Sequence, residues 1–104
     1  MAKLNWTSEA ERWLKDIYDY IAADNPSAAA DVVNGIYDKA QLLKSFPAIG
    51  YRYEGSEEEI RIFLYGHYRI TYQVRLDGDI DILGVFHGAL EIEAPAMGVM
   101  RLVA

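Results

Sequence analysis

Apolar and polar residues alternate in three short runs between positions 60 and 86, and this alternation limits the possible folds more than any other feature of the chain. A period of two places successive side chains on opposite sides of a strand, so residues 60–65, 68–76 and 79–86 read as three consecutive strands. Asp77-Gly78 is a favoured pair for a two-residue type I′ turn, which predicts a tight hairpin between the last two. The three strands form an antiparallel meander.

The alternation also assigns faces. In the second run Tyr68, Ile70, Tyr72, Val74 and Leu76 point one way, into the core, and Arg69, Thr71, Gln73 and Arg75 point the other. In the first run Ile60, Ile62 and Leu64 are expected inward, with Arg61, Phe63 and Tyr65 opposite. A hairpin across Tyr65-Gly66-His67 would then bring Arg61 close to Arg69. Residues 60–76 contain three arginines and no acid in a chain of formal net charge -6. The face bearing Arg69, Gln73 and Arg75 is the expected working surface.

Before the meander, residues 3–6 suit a short strand, and Thr7 or Ser8 suits a helix N-cap, Ser8 having capping-box spacing to Glu11. Trp13, Leu14, Ile17, Tyr18 and Ile21 form an apolar stripe on a helix expected over 9–23. Asn25 can cap a second helix that Pro26 begins, running to about residue 45 with Ala29, Val32, Val33, Ile36, Ala40 and Leu43 buried. Gly35 within it is tolerable where the helices approach closely. Residues 54–59, Glu-Gly-Ser-Glu-Glu-Glu, read as a solvated acidic loop.

These elements predict one α+β domain over residues 1–104: an N-terminal strand, then an antiparallel helical hairpin packed on an antiparallel sheet of about four strands. Residues 89–104 form an extension in which the pattern is lost, interrupted by Pro95 and Gly98, and residues 98–104 are left open as a packed arm, a short helix or a tail.

Composition narrows the function. Without cysteine there is no disulfide or thiolate metal site, and the two histidines lack companion ligand spacing, so neither metal nor cofactor is expected. No signal peptide, spanning apolar run or basic amphipathic helix is visible, so a cytoplasmic protein without membrane contact is expected. A pI near 4.7 argues against non-specific attraction to nucleic acid. Tyr18, Tyr37, Tyr68 and Tyr72 sit at core positions, which favours packing over base stacking.

The ordered segments NWTSEAERWLKDIYDYIAADNPSAA, LLKSFPAIG, IRIFLYGHYRITYQV and ILGVFHGA, spanning residues 4–89, resemble the RelE/ParE superfamily of toxins of type II toxin–antitoxin (plasmid stabilisation) systems. The long helical hairpin with Asn25-Pro26 and the terminal His87-Gly88 resemble the ParE branch more than the RelE branch. The resemblance implies a partner antitoxin that wraps the toxin. It further implies either inhibition of DNA gyrase, as in ParE-like members, or cleavage of messenger RNA on the ribosome, as in RelE-like members.

Under the nuclease alternative, Arg69 matches the family's strand arginine, Arg61 falls near a preceding strand lysine, and His87 completes the candidate catalytic set. The non-catalytic reading is the favoured one for both histidines, His67 as a tight-loop residue beside Gly66 and His87 as a strand-end residue whose ring bonds to backbone. Leu90 stands where many relatives carry an arginine, followed by Glu91 and Glu93, and no C-terminal tyrosine is present. Those departures disfavour a phosphate site. As a binding toxin, the chain would meet its target or antitoxin through Arg61, Arg69, Gln73 and Arg75 on the sheet and Trp13 and Ile17 on the hairpin. The acidic balance also keeps a non-toxic member that retains antitoxin binding in view. The sequence leaves open whether the chain forms a homodimer or a toxin–antitoxin hetero-oligomer.

Overall fold

The computed structural model describes residues 2–87, 91–93 and 101–103. Strand β1 (Leu4–Trp6) leads into helix α1 (Ser8–Ala22), and α2 (Pro26–Ala40) follows after a three-residue link. The Thr7 hydroxyl accepts from Ala10 N at 3.1 Å, and the Asn25 side chain accepts from Ala28 N at 3.0 Å. Both expected starts are therefore capped, Thr7 taking the place offered to either Thr7 or Ser8. The second helix stops being α-helical at Ala40 and tightens into a 3₁₀ turn, Gln41–Lys44, rather than continuing to residue 45.

Strands β2 (Tyr51–Arg52), β3 (Ile60–Tyr65), β4 (Tyr68–Val74) and β5 (Ile80–His87) complete the main sheet in the order β1-β5-β4-β3-β2. The expected two-layer α+β architecture is present, with two corrections. The sheet has five strands, and it is mixed, because β1 runs parallel to β5 with Leu4 opposite Ile80. Farther on, β6 (Glu91–Glu93) pairs antiparallel with β7 (Arg101–Val103), which makes part of the C-terminal extension a two-stranded ladder. Leu90 and Gly88 lie outside the described residues.

Register decides which side chains face the helices. The β3–β4 hairpin closes with Tyr65 opposite Tyr68 across Gly66 (φ +58°) and His67, so Arg61 lies opposite Tyr72, and Arg69 lies opposite Leu64. Directly paired residues share a face. The expected inward set of β3 is therefore inverted: Phe63 and Tyr65 join Ile70 and Tyr72 in the main core, and Arg61 is on their side. Arg61 and Arg69 are on opposite faces.

The other hairpin differs too. Gly78 N donates to Arg75 O at 3.0 Å, and Arg75 N to Asp79 O at 2.8 Å. This three-residue loop, with Gly78 at φ +91°, replaces the expected two-residue turn. A bulge sets Thr71 opposite Gly84 and Tyr72 opposite Ile82, leaving Leu83 as the extra residue. It lets Ile82 and Val85, three apart, both reach the main core.

That core joins Ala10 and Leu14 of α1, Ile36 and Ala40 of α2, and Leu43 to Phe63, Ile70, Tyr72, Ile80, Ile82 and Val85 of the sheet. Each fully buried large aliphatic side chain contributes about 1.5–3 kcal/mol. Tyr18, expected inside, is 38% exposed. The gap at Gly35 serves the sheet rather than helix–helix contact: a Cβ there would meet the hydroxyl of Tyr65.

Candidate functional site

The side of the sheet opposite the main core carries Ile60, Ile62, Leu64, Arg69, Thr71, Gln73 and Phe86. It was expected to be a bare row of donors. Instead Ile60, Ile62, Thr71 and Phe86 are buried there, and Arg69 and Gln73 are half-buried. Ile60 and Phe86 form a second apolar cluster with Trp13, Tyr53 and Leu83 packed against it. The Trp13 ring meets Phe86 edge-on at 4.8 Å between centroids. Gly84 makes room for this pair, since a Cβ at that position would lie 2.8 Å from the Phe86 ring and 3.3 Å from Trp13.

None of the three strand arginines is bare. Arg61 donates through Nε to Glu59 Oε2 at 2.8 Å, and through Nη1 to the carbonyls of Gly50 at 2.8 Å and Ala48 at 3.4 Å. Glu59 is thus an ion-pair partner rather than part of a wholly solvated acidic loop. Arg75 meets Asp77 at 3.0 Å and Asp81 at 3.7 Å, and Asp81 also accepts from Asn5 at 3.0 Å. Arg69 has an interaction partner of its own.

Beside Arg61, the buried Tyr72 hydroxyl accepts from Gly50 N at 3.0 Å and donates to Pro47 O at 2.7 Å. Burial raises its pKa above the ordinary phenol value. Gly50 is required for this approach, because a Cβ would lie 2.7 Å from Ile62 O and 2.8 Å from the Tyr72 hydroxyl. Together Tyr72 and Arg61 fasten the segment after the 3₁₀ turn to the sheet.

The candidate catalytic residues do not converge. Arg61 and His87 share the helix side but lie opposite Tyr72 and Tyr68, four residues apart on β4 and thus about 13 Å apart along the strand. Arg69 is on the other face. His87 stacks on His67 at 6.1 Å and meets the edge of Tyr68 at 5.5 Å. Among the described residues no three His, Cys, Asp or Glu side chains are grouped to hold a metal ion. No described helix is long and apolar enough to cross a membrane.

Of the two hairpin candidates, Trp13 is committed to Phe86, and Ile17 is half-buried against the main core. The fold instead exposes Leu42, Phe46, Ile49 and Tyr51, each 41–58% accessible, around the segment held by Tyr72 and Arg61. The sequence signalled this region: residues 39–53 contain Lys39, Lys44 and Arg52 and no acid.

Comparison with known proteins agrees with this architecture. Residues 4–91 match the model of the ParE toxin of type II toxin–antitoxin systems, parDE. The Y4kP protein of Sinorhizobium fredii, a candidate toxin, is 33% identical over 85 residues, covering 82% of this chain and 86% of that one. The fold is shared with a chain of the chromosomal ParDE toxin–antitoxin system of P. aeruginosa (TM-score 0.70, 23% identity, 84% of this chain and 96% of that one). It is also shared with a chain of the RelBE2 toxin–antitoxin complex of Mycobacterium tuberculosis (TM-score 0.57, 20% identity, 83% and 96%). With a family match across both helices and the whole meander, the chain belongs to the ParE toxin family of type II toxin–antitoxin systems.

Proposed function

We propose that this chain is a toxin that acts by binding: it engages a large cytoplasmic target, DNA gyrase, and a cognate antitoxin neutralises it. The observation that carries the reading is the ParE family match over residues 4–91. The dispersal of Arg61, Arg69 and His87 over two faces supports it, since RNA cleavage needs a base, an acid and cations converging on one phosphate. A ribosome-dependent nuclease is the competing activity.

Induced expression tests the proposal. Growth arrest with defective plasmid supercoiling and a DNA-damage response, relieved by co-expression of the small reading frame expected beside the gene, is the predicted result. Messages cut at codon boundaries, seen by 3′-end mapping while supercoiling stays normal, would transfer the chain to the nuclease class. Unimpaired growth with soluble, folded protein would make it a non-toxic member.

A further inference from the structure

Leu76 is the most exposed large apolar side chain among the described residues, although the alternation of β4 pointed it into the core. The strand ends at Val74 rather than at residue 76, and the chain turns away there. Gly78 N bonding to Arg75 O makes residues 75–78 a β-turn with Leu76 at its second position. Turn chemistry does not call for leucine, since Gly, Pro, Asn, Asp and Ser are the residues that turns select. Packing does not call for it either.

The backbone around this side chain is held firmly. Arg75 N donates to Asp79 O at 2.8 Å, Asp79 N to Asp77 Oδ1 at 2.9 Å, and Lys3 N to Asp79 Oδ1 at 3.0 Å. Arg75 adds ion pairs to Asp77 at 3.0 Å and to Asp81 at 3.7 Å. Ile80 N reaches Lys3 O at 2.9 Å, which ties the base of the loop to the residue before β1. A lone exposed leucine is ordinary on a protein surface. One carried on a cross-braced turn differs, because a partner would spend little ordering it. A local choice that neither packing nor turn chemistry explains is also where function is expected.

We propose that the β4–β5 turn is a contact element of the toxin for its target, Leu76 entering an apolar pocket of the target protein that is rimmed by Lys or Arg side chains. The charge of the turn selects that partner. Residues 75–81 hold three carboxylates, Asp77, Asp79 and Asp81, against the single Arg75, and Asp77 is exposed next to Leu76. Complementary charge at the rim speeds encounter and fixes register, while burial of the leucine supplies affinity. Nucleic acid fits less well, since the same carboxylates repel phosphate. A second copy fits less well too, because it carries a formal net charge of -6 itself.

This inference rests on the reading of the chain as a gyrase-inhibiting toxin, and one experiment separates the two. The full chain and its Leu76→Ala, Leu76→Glu and Leu76→Lys variants are compared in gyrase-catalysed supercoiling and in titration against the protein encoded by the adjacent small reading frame. Because Leu76 is fully exposed, all three variants are expected to fold and to melt within about 2 °C of the wild type. Leu76→Ala should raise the concentration for half-inhibition about tenfold. Leu76→Glu should raise it further and Leu76→Lys furthest, because the added cation meets a cationic rim. Affinity for the adjacent-frame protein should be the same in all four.

Wild-type inhibition that all three variants retain overturns the assignment and leaves the toxin reading standing. Stronger inhibition by Leu76→Lys gives the turn to gyrase-bound DNA and overturns it as well. A concentration-dependent dimer that the variants dissolve gives the turn to a second copy, and a parallel loss of binding to the adjacent-frame protein gives it to the antitoxin; either result overturns the assignment. Supercoiling undiminished by the folded wild-type chain overturns the underlying reading and this inference with it.

Discussion

Thr71 and Tyr72 are neighbours on β4, both fully buried, yet their hydroxyls are treated in opposite ways. On the helix side, the Tyr72 hydroxyl joins Gly50 N to Pro47 O, and Arg61 beside it joins Glu59 to two carbonyls. On the other side, Thr71 Oγ1 and Trp13 Nε1 are buried without a hydrogen-bond partner among the described residues. Around Tyr72 the sheet is cross-braced by polar bonds, whereas the Thr71 hydroxyl is enclosed without one. Guanidinium groups that look free in sequence are therefore structural where Arg61 is concerned.

Four substitutions can break or sharpen this contrast. The largest effect is expected for Tyr72→Phe, which orphans a buried N–H and a carbonyl together and should cost about 2–4 kcal/mol in denaturant unfolding. A loss below about 0.5 kcal/mol would mean that the brace contributes nothing. Arg61→Ala comes next at about 1–2 kcal/mol, reduced because Glu59 is solvated enough to screen its charge.

Tyr37 offers a pH test on the helix side. Burial, then its hydrogen bond to Glu11 at 2.8 Å, pushes its pKa up to about 12 from an ordinary 10. A folded-state pKa above the unfolded one favours the neutral phenol. The resulting stabilisation is complete below pH 10 and is lost as pH rises toward 12. Melting temperature should accordingly fall less steeply across that window in Tyr37→Phe than in the wild type; identical slopes would remove Tyr37 as the cause. The smallest effect belongs to Thr71→Val. Replacing an unpartnered buried hydroxyl by a methyl of similar shape should change stability by less than about 0.5 kcal/mol or raise it slightly. A loss comparable to that of Tyr72→Phe would erase the difference between the faces.

Much of the fold is legible in the chain because local physics and tertiary structure agree. Asn25-Pro26 caps and starts α2 as its chemistry requires, and the 3.6-residue stripe of α1 does bury Leu14. What escaped depends on parity between strands, which no single strand contains. A two-residue loop after Tyr65 sets Arg61 beside Tyr72, whereas strand-by-strand alternation placed it with Arg69. Asp77-Gly78 announced a turn, but its length follows from the Arg75–Asp79 bonds. The extra Leu83 and the parallel pairing of β1 also arise only when the strands meet.

The candidate site was less legible for the same reason. Arg61 and Arg75 look available in sequence, but their partners Glu59, Asp77 and Asp81 are brought to them by turns and register. The acid-free run over residues 39–53 was visible, yet its exposed apolar side chains become a surface only once Tyr72 and Arg61 hold the backbone.

The most direct test of the functional account is gyrase-catalysed supercoiling of relaxed plasmid, with the purified chain added alone and then with the protein encoded beside it. The account predicts dose-dependent inhibition by the chain and recovery of supercoiling when the partner is present in equal amount. Undiminished supercoiling at saturating, folded toxin would contradict it.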